Sequence, residues 1–270
     1  MRPGPVAVLF CEDTTDIAPT LAHHQRQGFP NTLLIGADCS GVAHLDQTGV
    51  VTLTHAISAR SDAIAALNRL IPLLAGRWVY AGFNAEYLFY PFCESRTVMD
   101  LTTFLAEERR EAAFTYAIDL YAEDLGRSPN AVSRSTAHFD RSGYYGFQRY
   151  ADGQTLDRQF DIYGGLGWRF EEFVPWERRR IDRVSLFRAR SGLEMREDWT
   201  LNDPELNTLS CPWHHNITVA VASFRVAKSL KRNPGSMYEI DSFLWPRSER
   251  FDWTSQQLME LGMIEPGQWV

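Results

Sequence analysis

Asn84-Ala85-Glu86, inside the stretch WVYAGFNAEYLFYPF (78–92), sets two oxygen-bearing side chains two residues apart where an apolar run ends. On a β-strand, residues i and i+2 face the same side. The pair can therefore offer an amide oxygen and a carboxylate to one divalent cation, and through it to a diphosphate. Only Glu86 is charged, and Mg²⁺ is held through one or two carboxylates plus substrate phosphates, so the site expected from spacing alone is weak. Polar residues that merely close a strand produce the same pattern.

A second cluster, CPWHHN (211–216), carries His214 and His215 at the entrance of an expected helix. Imidazoles there can bind a metal or contact a phosphate, helped by the free N–H groups of the first turn. Neighbouring residues of an extended chain point opposite ways, so at most one of the two is a ligand. His23 and His24 fall in mid-helix, where helical periodicity favours packing or surface roles. General-base chemistry needs a carboxylate or imidazole within hydrogen-bond reach of a hydroxyl, and Asp140, Glu171 and Glu172 are the candidates. Each also has an obvious ion-pair mate in Arg141, Arg169 or the Arg178 cluster. That cluster, RRRIDR (178–183), reads either as a solvated basic face or as a contact for an anion. Aromatics in SGYYGFQRY, WRF and CPWHH can stack on sugar rings or a nucleobase, or serve the core. Nucleophile-elbow, Walker A and GxGxxG patterns do not occur.

These groups need a frame. PVAVLF (5–10), a helical stretch closed by Gly28, and NTLLIGAD (31–38) predict strand, helix, strand, hence a parallel pair with a right-handed crossover. GVVTLTH (49–55) predicts a third strand, a helix capped by Ser61 follows with Pro72 bending or breaking it, and RWVYAGF (77–83) predicts a fourth strand. A helix over 100–110 and a strand over 112–122 continue the alternation. Residues 126–180 have no clear pattern, with SPNAVSRSTAHFDRSGYYG (128–146) reading as loop and the glycines of YGGLGWRFEEFVP (163–175) as a turn or close backbone approach, and 217–233 reads as one helix. The tail from Phe251 carries an apolar stripe expected to pack on the chain's own core. Such alternation builds an α/β sandwich of largely buried strands, with ligands beyond their carboxyl ends. Glu12-Asp13, Asp38 and Asn84 with Glu86 would line that crevice.

The 270 residues, 44% hydrophobic and 23% charged, suit one compact folded unit. A formal charge of −7 without a long basic stripe argues against nucleic acid. Four scattered cysteines without a CxxC pair suggest neither zinc nor a disulfide framework. No segment approaches the ~18 apolar residues of a membrane span and the amino terminus lacks a signal-peptide pattern, so the expected location is the cytoplasm or the inner face of a membrane.

In order along most of the chain, FCEDTTD, LAHHQRQGFPNTLLIGA, WVYAGFNAEYLFYP, HFDRSGYYG, YGGLGWRF, IDRVSLFR and CPWHH resemble the family 2-like bacterial glycosyltransferases of GT-A fold. The resemblance implies a GT-A-like, Rossmann-like α/β fold: a mixed, mainly parallel sheet flanked by helices. Residues 1–125 would form the nucleotide-sugar half and 126–270 the acceptor-side half of one continuous domain. It further implies transfer of a sugar from a nucleotide sugar to a glycan, lipid-linked or protein acceptor, usually aided by Mn²⁺ or Mg²⁺. In that reading Glu12, Asp13 and Asp38 meet the nucleoside, and Glu86 with His214 or His215 holds the diphosphate directly or through a cation. Arg178 to Arg180 or Arg183 neutralise the leaving group, and Asp140, Glu171 or Glu172 is the base. The family's DADE-like motif is depleted here: its acidic positions fall on Phe83, Ala85 and Glu86, or, one residue along, on Asn84 and Glu86. Two alternatives stay open. One is a degenerate relative that binds a glycan or protein without turnover, and the other is a one-metal hydrolase built on Asn84, Glu86 and a histidine.

Overall fold

Alternation of buried side chains along Val6–Cys11 (β1) decides how the layers stack. Val6, Val8 and Phe10 share one core with Ile64 and Leu67, whereas Ala7, Leu9 and Cys11 share another with Ile17, Leu21, Leu101 and Leu105. Successive strand residues face opposite sides, so helices must cover both faces of this strand. The structure, a computed structural model, describes residues 1–210 and 215–269.

Helix α1 (Ile17–Arg26) follows β1, ends before Gly28 in its left-handed conformation (φ +88°), and leads to β2 (Asn31–Gly36). Then come β3 (Val50–Thr54), α2 (Arg60–Leu70), β4 (Trp78–Phe83), β5 (Glu86–Phe89), α3 (Val98–Glu107) and β6 (Ala112–Ala122). The N-cap of α2 is Ala59 rather than the expected Ser61, because the Asp62 carboxylate accepts the N–H groups of Ser58 and Ala59 at 2.8 and 2.9 Å. At Pro72 the helix gives way to a 3₁₀ turn over Ile71–Leu74.

Beyond β6 lie β7 (Ala137–Asp140), the hairpin β8 (Tyr145–Ala151) and β9 (Gln154–Tyr163), the short α4 (Gly165–Arg169), and β10 (Asp182–Arg188). The chain closes with β11 (Thr218–Ser223), α5 (Arg225–Arg232), β12 (Ser248–Arg250) and α6 (Ser255–Glu260). The single helix expected over 217–233 is thus a strand followed by a helix. TVAVAS is drawn into the sheet because both its edges find partners, β6 in parallel and β5 antiparallel. The expected loop over 128–146 likewise contains β7 and the start of β8, and the unassigned stretch after it holds the rest of β8 and β9. The tail does pack inward: Leu258, Met263, Ile264 and Trp269 are buried.

Among the described residues the main sheet has ten strands, in the order β12-β7-β6-β10-β4-β1-β2-β3, with β11 joining β6 to β5. Strands β1 to β4 run parallel, and the antiparallel β10 separates β4 from β6. This is a mixed sheet flanked by helices in one α/β unit. The carboxyl ends of β1 to β4 therefore open on one side. The amino end of the antiparallel β10 and the start of α5, after the carboxyl end of β11, reach the same side. Edge strand β3 departs from the expected burial, with Val51 and Leu53 exposed. No helix among the described residues is long and apolar enough to cross a membrane.

Candidate functional site

Asn84 and Ala85 make a two-residue turn between β4 and β5, and the turn's polar atoms are used inside the protein. The Asn84 side-chain oxygen accepts the Glu12 N–H at 2.9 Å, while its amide nitrogen donates to Asp13 Oδ1 and the Thr15 carbonyl, both at 2.8 Å. It acts as a surrogate peptide group that fixes the loop after β1. Ala85 takes φ +59°, its N–H held by Thr20 Oγ1 at 2.9 Å.

Glu86 is 1% exposed, and both its oxygens are engaged. Oε2 accepts from the Phe83 N–H at 2.9 Å and Arg183 Nη2 at 2.6 Å; Oε1 accepts from Arg183 Nη1 at 3.2 Å and Ser223 Oγ at 3.0 Å. Burial alone would raise its pKa, yet the guanidinium groups of Arg183 and Arg225 hold it below the usual carboxylate range. These residues do not fit a divalent cation, because the lone pairs a metal would need already receive N–H and O–H donors. Among the described residues no group of three or more His, Cys, Asp or Glu could hold a metal.

The other acids expected at the strand ends are paired in the same way. Glu12 takes a two-pronged contact from Arg225, with Nε at 2.9 Å and Nη2 at 2.6 Å, and that guanidinium lies 3.5 Å from the Phe83 ring centroid. Asp13 pairs with Lys228 at 2.8 Å and with Arg232. Burial works against its charge, but Lys228 holds the carboxyl well below its ordinary value. Asp38 lies exposed two residues past the end of β2.

Cations dominate what remains. Arg60 opens α2, Arg225 opens α5, and Arg183 stands at the amino end of β10, with Arg180 just before it. Arg183 and Arg225 both lie within 4 Å of Glu86. Arg180 is bound by Asp161, Asp182 and Asp198. Half-buried Arg60 makes no hydrogen bond or ion pair with the described residues. Burial first, then repulsion from Arg225, Arg183 and Arg180, brings its pKa down to about 10. Two helices therefore begin with arginine, where the backbone dipole already carries positive potential and favours anions. Arg180, Arg183 and Arg225 are thus matched by carboxylates, which leaves Arg60 as the cation of this group without a hydrogen bond or ion pair among the described residues.

The remaining expected residues lie elsewhere. Asp140 is buried under Tyr121 Oη at 2.5 Å, Arg169 Nη1 at 2.9 Å and Trp245 Nε1 at 2.7 Å, so it ties structure together instead of facing a substrate hydroxyl. Glu171 is exposed and paired with Arg179 at 2.9 Å; Glu172 and Arg178 are exposed on the same segment. His214 lies outside the described residues. His215 is exposed, 3.7 Å from Glu265, and precedes the first residue of β11, whereas Glu86 pairs with the last, Ser223. Five residues at about 3.3 Å each put some 17 Å between the two ends, too far to share a cation. Of the ligands a one-metal hydrolase would use, Asn84 and Glu86 are thus engaged within the protein and His215 lies at the other end of β11. His215 instead borders a cleft of about 520 Å³ beside Tyr116 and Tyr144. His23 and His24 are buried among Tyr80, Tyr87 and Phe89, and burial pushes them down to about 3 and 4, so they are neutral packing groups.

Sequence reasoning passed over Arg60, Arg225 and Asp119. Neither arginine could be seen to open a helix from sequence, since the expected helix over 217–233 hid the start of α5 and the expected Ser61 cap left Arg60 outside α2. Asp119, in the second half of β6, leaves Oδ1 unpartnered while the Leu166 N–H reaches Oδ2 at 2.8 Å. Burial, the main cause, and the nearby Asp140 and Glu86 raise its pKa to about 7. Gly165 (φ +63°) is required beside it, since a Cβ there would meet Asp119 Oδ2 at 2.5 Å.

No family model and no curated protein matches this chain. Among solved structures it is similar to what is named a "Putative Glucose-1-Phosphate Thymidylyltransferase" from Bacillus anthracis, in complex with a sucrose. The two share 9% identity at a TM-score of 0.33, over 88% of this chain and 78% of that one. A likeness of that size carries no functional weight, and the functional reading rests on the residues described above.

Proposed function

We propose that the crevice at the carboxyl ends of β1 to β4 binds the diphosphate of a nucleotide sugar through arginines, without a divalent cation, and that the protein transfers the sugar to a glycan, lipid-linked or protein acceptor. The observation that carries this reading is Arg60: a half-buried guanidinium with no hydrogen bond or ion pair among the described residues, repelled by Arg225, Arg183 and Arg180 and only partly offset by Asp198. Uncompensated buried charge is costly, and an anionic ligand removes the cost. The position agrees with where α/β sheets of this kind bind ligands. Fixed guanidinium groups can also stabilise a leaving diphosphate, the main electrostatic demand of such a transfer. Residues 1–125 then supply Arg60 and the strand ends to the donor site, and 126–270 supply Arg180, Arg183 and Arg225 as well as the acceptor side.

A second reading, binding without turnover, is favoured by one observation. The carboxylates Glu12, Asp13, Glu86 and Asp140 are all held by cationic side chains, and none is left as an open base.

Calorimetric titration with UDP, GDP and CDP, and with their common sugars, in EDTA and in Mn²⁺, tests the proposal. At least one class binds equally in both media, and Arg60→Ala weakens it tenfold or more. Silence from every nucleotide overturns the reading, and binding that needs Mn²⁺ overturns its metal-independence. Release of nucleoside diphosphate on adding acceptor separates transfer from binding without turnover.

A further inference from the structure

Strands β8 and β9 form a two-stranded sheet apart from the main one, and one of its faces is aromatic. The register pairs Tyr145 with Tyr163 and Phe147 with Asp161. Paired residues share a face, as do residues two apart, so Tyr145, Phe147 and Tyr163 stand together. Trp168 of α4 and Trp176 of the 176–178 turn pack onto them. Tyr163 lies 4.9 Å from Trp176 in a stacked arrangement, 5.8 Å from Trp168 and 5.8 Å from Phe147; Tyr145 lies 5.6 Å from Trp168. Each ring is braced by others, yet Tyr145, Phe147 and Trp176 remain 48%, 52% and 54% exposed. Ordered aromatic surface left in water in this way marks a binding face.

We propose that this five-ring platform binds the sugar rings of a neutral glycan, the acceptor side of the crevice. The identification rests on the nucleotide-sugar reading given above. Three observations choose a glycan over other occupants. First, the exposed large apolar side chains of β8, β9 and the segment up to Arg180 are Tyr145, Phe147, Tyr150 and Trp176, all aromatic. Flat rings accept the C–H face of a pyranose, and the tyrosine hydroxyl and indole N–H meet its hydroxyl groups. Second, Trp176 is followed directly by exposed, charged Glu177 and Arg178, and Glu172 on the same segment is exposed too, so charge flanks the ring where a protein interface would add further apolar surface. Third, the platform is continuous with the crevice. Asp161, beside Phe147, is bound by Arg149 at 2.7 Å and by Arg180 at 3.2 Å, and Tyr163 is bridged to Arg180 through the backbone. Arg180 belongs to the cationic group around Arg60, so the two sites share a wall.

Titration with chitohexaose, cellohexaose and maltohexaose, followed by calorimetry and tryptophan fluorescence, tests this. At least one of the three binds saturably, and both Trp176→Ala and Phe147→Ala weaken it tenfold or more while leaving the melting temperature and nucleotide binding in place. Absence of saturable binding to all three overturns the proposal. So does a wild-type dimer in sedimentation that Phe147→Ala converts to monomer, or binding to phosphatidylglycerol vesicles that Trp176→Ala abolishes, since either assigns the face to another occupant. Nucleotide binding without oligosaccharide binding sinks the platform alone. Oligosaccharide binding without nucleotide binding leaves the platform standing and sinks the crevice reading.

Discussion

The strand-end crevice and the β8–β9 hairpin treat their conspicuous residues in opposite ways. In the crevice, Glu12, Asp13, Asn84 and Glu86 are turned onto partners within the protein. On the hairpin, Tyr145, Phe147 and Trp176 are left in water although each could bury a large apolar area. A buried carboxylate must be paired or it neutralises, so finding acids at strand ends says little about ligands until their partners are known. Exposed aromatics have no such obligation. What stays unspent, Arg60 in one region and the ring faces in the other, is the better guide to binding.

The contrast breaks most readily at Glu86. Glu86→Ala leaves Arg183 buried without its partner, and chemical denaturation should show a loss of about 3–5 kcal/mol. Glu172→Ala, on the exposed segment, should stay within about 0.5 kcal/mol. Equal effects would mean that the crevice acids are not the structural ties described here.

Asp119 provides the next largest effect. Its folded-state pKa of about 7 exceeds the ordinary 3.8, so the native protein holds a proton that the unfolded chain has released. The sign follows: stability falls as pH rises from about 4 through 7, where the buried carboxyl takes on its charge. Asp119→Asn removes that loss, so its stability advantage over wild type should grow by about 2–4 kcal/mol between pH 4 and pH 8. A constant difference across that range would show that the carboxyl is ionised throughout.

Arg60→Ala sharpens the comparison from the other side. Removing an unpartnered, half-buried cation should leave stability unchanged or raise it by about 0.5 kcal/mol while nucleotide affinity falls tenfold or more, about 1.4 kcal/mol. A large loss of stability instead would place Arg60 among the structural ties. Trp176→Ala is the smallest perturbation, expected within about 0.5 kcal/mol in denaturant because the ring is half exposed.

Much of the first hundred residues was legible before any coordinates. VAVLF, NTLLIG and WVYAGF are apolar and β-rich, and each is bounded by turn or cap signals, so their strands follow from local pattern. TVAVAS misled because a short apolar run of Ala and Val suits a buried helix as well as a strand, and it is long-range pairing with β5 and β6 that decides. The β8–β9 hairpin did leave a signal: Asp152-Gly153, both with positive φ (51° and 76°), joins the two strands as a tight turn requires. The site was less legible. Asn84-Ala85-Glu86 has the spacing of a cation site, and nothing nearby in sequence reveals that Arg183 and Glu12 occupy its polar atoms.

The sequence by itself determined β1 to β4 and β6 as strands, the turns that bound them, and that acidic residues gather at one end of the sheet, because hydrophobic periodicity and turn chemistry act over a few residues. Only the tertiary structure decided what those residues do. Glu86 meets Arg183 across 97 positions and Glu12 meets Arg225 across 213. Whether a carboxylate binds a ligand or an internal arginine depends on such contacts, which arise when the sheet and its helices close on one another.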